Sequence, residues 1–398
     1  MIRVFRPCYG NEELEAVREV FQAGWIGLGP KTREFEERFA AFLGIAHAVA
    51  VNSATAALHL ALKVAGVEGG EVITTPMTFV STNHAILYNN GIPVFADIEP
   101  DTLNIDPEDV RRKVTPRTRA IVVVHYGGHA CDMDALLAIA REYGLKVIED
   151  AAHACGGRYR QRALGTLGDF GCFSFHAVKN LATGDGGMIA THDADAHARL
   201  QKLCWLGINR NTWNRAAGEA YSWEYNVEEL GFKCHMNDIT AAIGLVQLAK
   251  LEQANARRRR LAERYTRLLG GAAWIEKPVE RGYAHSSWHN YVIKVADAAD
   301  RNPLMAHLNE RGVSTGMHYF PNHLYEMYRP YVRSPLPVAE AVWERLITLP
   351  LFPDLSDGQQ DVIVEAILEY RAARSGAGGG DQAYATRAIT GLAHLPVR

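Results

Sequence analysis

The 398-residue chain is expected to be an α/β protein: a large domain with a mostly parallel seven-stranded sheet flanked by helices, and a smaller C-terminal α/β domain. Three observations predict this. Seven short apolar runs occupy the first half of the chain, and several are separated by helical patterns. That alternation is the mark of a parallel sheet covered on both faces. A helical pattern much longer than the others follows Asn237, long enough to act as a bent spine joining two domains. Hydrophobic residues make up 48% of the chain, enough for a large core.

The strands come in order. HAVAVN (47–52), EVITT (71–75), IPVFAD (92–97), RAIVVVH (119–125), LKVIED (145–150), FGCFSF (170–175) and GGMIAT (186–191) read as buried strands. Between them SATAALHLALKVAG (53–66), STNHAILYNNG (81–91) and DMDALLAIAREYG (132–144) read as helices, with apolar residues at helical spacing. The spine covers 238–269. Beyond it NYVIKVA (290–296), PLMAHLNERG (303–312), STGMHY (314–319) and VIVEAILEYRAA (362–373) read as the smaller domain. The domains are placed at 1–250 and 251–373. A Gly-rich tail, 374–398, is expected to be mobile.

Charge and composition exclude several classes. A formal net charge of −3 gives no general attraction to nucleic acid or anionic membrane. The basic run Arg257 to Arg260 falls in a helical pattern with acids nearby, and reads as a solvated helix face or a subunit contact. No apolar run approaches the length of a membrane span, and the N-terminus lacks the apolar centre of a signal peptide. Six cysteines are scattered without a CxxC pair, which fits a reduced, cytoplasmic setting.

The stretch GCFSFHAVKNLATGDGG (171–187) holds a lone lysine, Lys179, among small and apolar residues. It reads either as a loop lysine at the surface or as an amine whose lost hydration frees it for Schiff-base chemistry. Two other stretches have a similar double reading. In VIEDAAHA, Asp150 ends a strand, where it can meet a ligand nitrogen or cap the next turn. In VNSATAALHLAL, Ser53 and Thr55 open a helix, either as an ordinary cap or as an anion cradle. Ser174 stands five residues before Lys179, and the glycines of GDGG after it let the backbone pack close to a flat ligand. An amine, an acid for a ring nitrogen and a phosphate cradle are together what pyridoxal phosphate requires.

These stretches, with GWIGLGPKTREFEERFA, PMTFVSTNHAI, PVFADIEPDTLNID, VHYGGHACDMD, GFKCHMNDITAAIGLVQL, HYFP and LPLFPDLSD, resemble the sugar aminotransferases of the DegT/DnrJ/EryC1/StrS family, fold-type I pyridoxal phosphate enzymes. The resemblance covers about residues 4–372. It implies that Lys179 is the internal-aldimine lysine and proton shuttle, and that Asp150 pairs with the pyridine nitrogen. By the same resemblance His153 lies near the ring and its O3′ oxygen, and Phe79 stacks on the ring. Ser53, Ala54, Thr55 and Ser174 would hold the phosphate. Lys233 stands where many relatives carry an Asn that reaches the phosphate of the neighbouring subunit. GDGG departs mildly from the usual GEGG. A homodimer with two shared active sites is implied, without nucleic acid or membrane as partner.

The resemblance further implies transfer of an amino group from L-glutamate, released as 2-oxoglutarate, to a keto group of a nucleotide-linked sugar. The motifs most resemble the branch acting at C4 of 4-keto sugars, serving amino-sugar, cell-surface polysaccharide, lipopolysaccharide or natural-product synthesis. A 3-keto sugar nucleotide and a keto-cyclitol of the aminoglycoside type are the alternatives. Candidate substrate contacts are Trp25, Lys31, Arg215, His318 and Tyr319. Three rival classes fit the sequence less well. His125, His129, Cys131 and His153 fit no common zinc spacing, so no metal is expected. GDGG precedes a strand, and no G-x-G-x-x-G follows the first strand, against a nicotinamide site. A non-catalytic pyridoxal phosphate-binding regulator would need a DNA-binding module, and the sequence shows none.

Overall fold

The computed structural model describes residues 1–209 and 225–376. Two helices open the chain, α1 (Asn11–Ala23) and α2 (Pro30–Leu43). Strands and helices then alternate: β1 (His47–Val51), α3 (Ala54–Ala65), β2 (Glu71–Thr74), α4 (Val80–Tyr88), β3 (Ile92–Phe95), α5 (Pro107–Lys113), β4 (Thr118–Val124), α6 (Met133–Tyr143) and β5 (Lys146–Asp150). Two short strands, β6 (Arg158–Tyr159) and β7 (Arg162–Ala163), precede β8 (Phe170–Ser174), β9 (Gly187–Thr191) and α7 (Ala194–Leu203). The spine is α8 (Asp238–Leu268). After it come β10 (Ile275–Glu276), β11 (Ala284–His285), β12 (Tyr291–Val295), α9 (Arg301–Glu310), α10 (Pro337–Trp343), β13 (Leu346–Leu349) and α11 (Asp357–Gly376).

The large sheet has seven strands in the order β1-β9-β8-β5-β4-β2-β3. Only β9 runs against its neighbours; β8, β5, β4, β2 and β3 are mutually parallel. All seven runs read as strands from sequence are present. Strand β4 shows why their central residues are apolar without alternation. Ile121 and Val123 enter one core with Phe35, Phe39 and Phe173, while Ala120 and Val122 enter a second with Leu58, Leu62 and Ile148 on the opposite face. A strand buried on both sides has no polar face to offer.

A further core surrounds the antiparallel sheet β10-β12-β13 and holds Tyr265, Tyr291, Ile293, Leu349 and Ile367. Helix α8 serves both, with Ala241 and Leu251 in the first core and Leu261, Ala262 and Tyr265 in this one. Asn237 starts α8 by accepting a hydrogen bond from Thr240 N at 2.9 Å.

Several elements go beyond the sequence reading or differ from it. Helices α1 and α2 are polar on much of their surface and were not singled out. Strand β13 lies beside the LPLFPD motif, where the prolines mask a four-residue run. The segment 314–319 makes one bridge, Gly316 to Thr348, and then leaves the sheet. That departure carries His318 and Tyr319 toward Lys179. Residues 377–398, most of the Gly-rich tail, lie outside the described residues, as does Arg215. No described helix is long and apolar enough to cross a membrane, and the six cysteines are free.

Candidate active site

Three parallel strands end side by side, with Val124 paired to Asp150 and Asp150 to Cys172. Ligands in open α/β sheets collect beyond such carboxyl ends. Asp150 is the last residue of β5 and is 4% exposed. Its Oδ2 accepts from the Thr82 hydroxyl at 2.7 Å, and its Oδ1 from Ala152 N at 3.1 Å. Burial raises its pKa above the usual Asp value; Thr82, Ala152 N–H, Lys179 and His125 act in the opposite direction.

Lys179 lies in the turn between β8 and β9, its backbone N–H donating to His176 O at 2.9 Å. Its side chain keeps partial access to solvent, yet desolvation lowers its ammonium to about 8, with Asp150 opposing. No hydrogen bond or ion pair engages its amine among the described residues. The next residue, Asn180, is firmly held: its Nδ2 donates to Asn255 Oδ1 and Ser287 O, both at 2.8 Å, and its Oδ1 accepts from His289 Nδ1 at 3.1 Å.

Three imidazoles lie in the electrostatic reach of Lys179. His153, His289 and His318 all have lowered pKa values, first through burial and then through the Lys179 charge, His318 to about 4. They are neutral at neutral pH. His153 Nδ1 accepts from Gly127 N at 3.3 Å, so its proton sits on Nε2, which meets the Tyr319 hydroxyl at 2.9 Å. Rings follow one another from the N-terminal segment inward. Phe5 stacks on His289 at 5.2 Å, His289 on His153 at 4.5 Å and His153 on Tyr319 at 5.9 Å. His318 is fixed through Nδ1 to Thr348 Oγ1 at 2.9 Å and through its carbonyl to the Tyr126 hydroxyl.

The start of α3 faces the start of β9. Ser53 is its cap, with Oγ accepting from Ala56 N at 3.1 Å. The N–H groups of Ala54 and Thr55 stand in the first turn, where no intrahelical acceptor exists. Gly187, the last residue of GDGG, explains that motif differently from the sequence reading. A Cβ there would lie 2.5 Å from Ser53 C and 2.8 Å from Ala54 N. The glycine lets β9 pack on the helix start, so the close approach is backbone to backbone. Ser174 ends β8 and is 7% exposed.

Of the remaining sequence candidates, Phe79 sits at the cap of α4, 59% exposed and 6.1 Å from the Tyr319 ring. Lys233 is exposed, its Nζ 3.4 Å from the centroid of Trp205. Trp25 and Lys31 are used for structure. Trp25 Nε1 donates to Leu28 O at 3.0 Å, and Lys31 pairs with Glu19 at 3.4 Å while its N–H reaches Asp238 at 3.1 Å. Neither is brought to Lys179 by any of these contacts. His125 is committed to Glu149 at 2.9 Å, and His129 Nε2 accepts from Arg281 N at 3.0 Å. Among the described residues no group of three or more His, Cys, Asp and Glu is arranged to hold a metal. Sequence reasoning missed Thr82, Asn180 and His289. No periodicity marks them, because each acts through side-chain bonds to residues distant in sequence.

A family model described as the DegT/DnrJ/EryC1/StrS aminotransferase family matches residues 7–368. The chain belongs to that family. This aminotransferase is 43% identical over 369 residues to the spore coat polysaccharide biosynthesis protein SpsC of Bacillus subtilis (strain 168), covering 91% of this chain and 95% of that protein. Among solved structures, the aminotransferase TlmJ from Streptoalloteichus hindustanus superposes with a TM-score of 0.88 at 39% identity, covering 94% of this chain and 99% of that one. The pyridoxamine phosphate form of the putative sugar aminotransferase Spr1654 from Streptococcus pneumoniae gives 0.87 at 30% identity, covering 93% and 99%. The fold is therefore that of the fold-type I enzymes, and the aminotransferase is pyridoxal phosphate-dependent. Its own residues fit that cofactor: an unengaged amine near neutrality, a buried acid with spare lone pairs and a helix start with free N–H groups.

Proposed function

We propose that this aminotransferase moves the amino group of L-glutamate to C4 of a nucleotide-linked 4-keto sugar, of the 6-deoxy or pentose kind. The carrying observation is the lone Lys179 amine at about 8, set against the buried Asp150 carboxylate. The sugar as acceptor is supported by the polysaccharide role named for SpsC and by the sugar aminotransferases among the solved neighbours. C4 and the nucleotide rest on the motifs of residues 124–134, 173–180, 231–238 and 349–354.

Pyridoxal phosphate, when bound, supplies the aldehyde that carries the amino group and a ring that spreads the electron pair left at the donor carbon. The protein does the rest. Lys179 Nζ, about as often neutral as charged near its pKa, takes the proton from the glutamate Cα and later returns one to the sugar carbon. Asp150 holds a proton at the ring nitrogen and so favours withdrawal of electrons from the reacting carbon. The N–H groups of Ala54 and Thr55, with Ser53 and Ser174, receive the phosphate at the positive end of α3. His153, fixed by Gly127 N–H and Tyr319, would stand beside the ring, and Phe79 would cover a ring face. His318 and Tyr319 border the acceptor. We assign Lys233 to the partner's phosphate in a homodimer with two shared sites. There its ammonium would bring a full charge where Asn brings none.

The test is incubation of the loaded enzyme with glutamate and a panel of UDP-, dTDP- and GDP-linked 4-keto and 3-keto sugars. Mass spectrometry reads replacement of the carbonyl oxygen by an amine. An aminated 4-keto sugar is expected. Amination of 3-keto sugars alone would overturn the C4 assignment. Conversion of the cofactor by glutamate with no reaction of any sugar nucleotide would shift the reading to a keto-cyclitol.

A further inference from the structure

The first turn of α4 does two things at once. Phe79 caps it and faces the site, and Thr82, three residues on, reaches Asp150. Thr82 is completely buried, and its Oγ1 lies 2.7 Å from Asp150 Oδ2 and 2.8 Å from Thr78 Oγ1. The direction of this chain follows from charge. An ionised Asp150 has no hydrogen to give, so Thr82 donates to it. The Thr82 oxygen is then the acceptor, and Thr78 must donate to Thr82. Each bond polarises the next. The other carboxylate oxygen is held by Ala152 N–H. With both oxygens anchored on fixed groups, the carboxylate cannot rotate, and its remaining lone pairs are left for one ligand atom.

The turn itself does not depend on this bond. Asn83, fully buried, accepts from Thr74 Oγ1 at 2.7 Å and donates to Thr75 O at 3.2 Å and Asn322 Oδ1 at 2.9 Å. Asn322 in turn donates to Thr78 O at 2.8 Å. The helix start is therefore pinned by a second network, and the Thr82 hydroxyl is free to serve Asp150. The charged or titratable groups in the electrostatic surroundings of Asp150 are Lys179, His125, Cys172 and Tyr319.

We propose that Thr82 is a positioning residue: its hydroxyl fixes Asp150 in rotation and keeps it ionised opposite the cofactor's ring nitrogen. The inference rests on the reading of Asp150 as the partner of that nitrogen. A single proton is shared between the nitrogen and the carboxylate. Removing the donor makes the carboxylate hold the proton more tightly, so the nitrogen loses it.

The experiment loads the full-length enzyme with pyridoxal phosphate labelled with 15N in the ring and reads the nitrogen shift by NMR. In the parent enzyme the nitrogen is expected to be protonated. Thr82→Val, which keeps the shape and removes the hydroxyl, should lower the ratio of protonated to neutral nitrogen about 10-fold. Its kcat should fall with little change in KM for glutamate, and Thr82→Ser should restore both. Asp150→Asn separates the two readings. If Asp150→Asn loses the proton while Thr82→Val keeps the parent shift and kcat, Thr82 has no such role and Asp150 stands. If Asp150→Asn also keeps it, the Asp150 reading fails and takes this inference with it. Should Thr82→Val not fold, Thr82→Cys carries the same expectation, since a thiol is a weak donor of nearly the serine size.

Discussion

Glu149 and Asp150 are neighbours at the end of one strand, both buried, yet their surroundings on the two sides of that strand are opposite in kind. Glu149 is fully consumed. It accepts from His125 Nε2 at 2.9 Å, Gly165 N at 2.8 Å, Leu167 N at 2.6 Å and Gly168 N at 2.7 Å. Burial pushes its carboxyl up, but His125 and the backbone donors outweigh this and leave it below the usual range. Asp150 has two protein donors, and burial wins, leaving it above the usual range. Burial of a carboxylate is therefore not what marks the site. The mark is hydrogen-bonding capacity left over after the fold has been satisfied. Lys179, buried enough to fall to about 8 and without a partner for its amine among the described residues, fits the same criterion on the Asp150 side.

The sharpest way to break this contrast is to remove Lys179. Lys179→Ala is expected to lower transamination by about 10⁴-fold or more, and to lose the yellow absorbance band of the loaded enzyme while the chain still folds. A variant that keeps normal turnover would end the assignment. Next comes a crossed pair. Asp150→Asn should cost about 100-fold in kcat with little change in thermal stability. Glu149→Gln should do the reverse, losing about 3 kcal/mol of unfolding free energy because it breaks a buried, fully bonded carboxylate. Chemical denaturation and steady-state kinetics on both variants read the result. If the two variants swap effects, spare bonding capacity is the wrong criterion.

How much of this was legible in the sequence follows from the same distinction. The seven strands were legible because each holds a short run of consecutive apolar residues, and α8 because its pattern persists from Asp238 to Leu268. Asp150 and Ser53 stood out because each lies at the end of an element, where a polar residue interrupts an apolar run, and Lys179 because it is a lone lysine among small and apolar residues. Thr82 and Asn180 were not, since their roles depend on which residues the fold brings opposite them. Trp25 and Lys31 lie beside a Gly-rich turn, where the fold gives them contacts to Leu28 O and to Glu19 and Asp238. Gly187 was read as room for a flat ligand, when the room is taken by the Ser53 backbone.

A pH measurement sharpens the contrast with a smaller effect. Schiff-base formation needs the neutral amine, so the rate at which apoenzyme takes up pyridoxal phosphate should rise with pH and level off above about 8. The sign follows from the cause: desolvation disfavours the ammonium and moves the free amine into the neutral range. The same shift acts on the stability of the apoenzyme. The cost of the buried ammonium is felt in full below pH about 8 and is relieved as pH rises toward the unfolded value of 10.5. Uptake followed by absorbance would contradict a dry amine if the rate kept climbing toward the ordinary lysine range.

The smallest effect is expected at Ser53, where fold and site compete for one hydroxyl. Its Oγ already accepts from Ala56 N at 3.1 Å and lies 3.4 Å from Asn52 Oδ1 as a donor. Ser53→Ala should therefore cost about 1 kcal/mol of stability through the lost cap. The N–H groups of Ala54 and Thr55 survive the substitution, so cofactor affinity should fall only a few-fold. Thermal unfolding of the apoenzyme with and without pyridoxal phosphate separates the two contributions, because the loaded form gains stability in proportion to the logarithm of affinity. A cap-sized loss in both forms places Ser53 with Glu149, as a group the fold uses. A loss confined to the loaded form places it with Asp150, and the phosphate would then be held by the side chain as well as by the helix start.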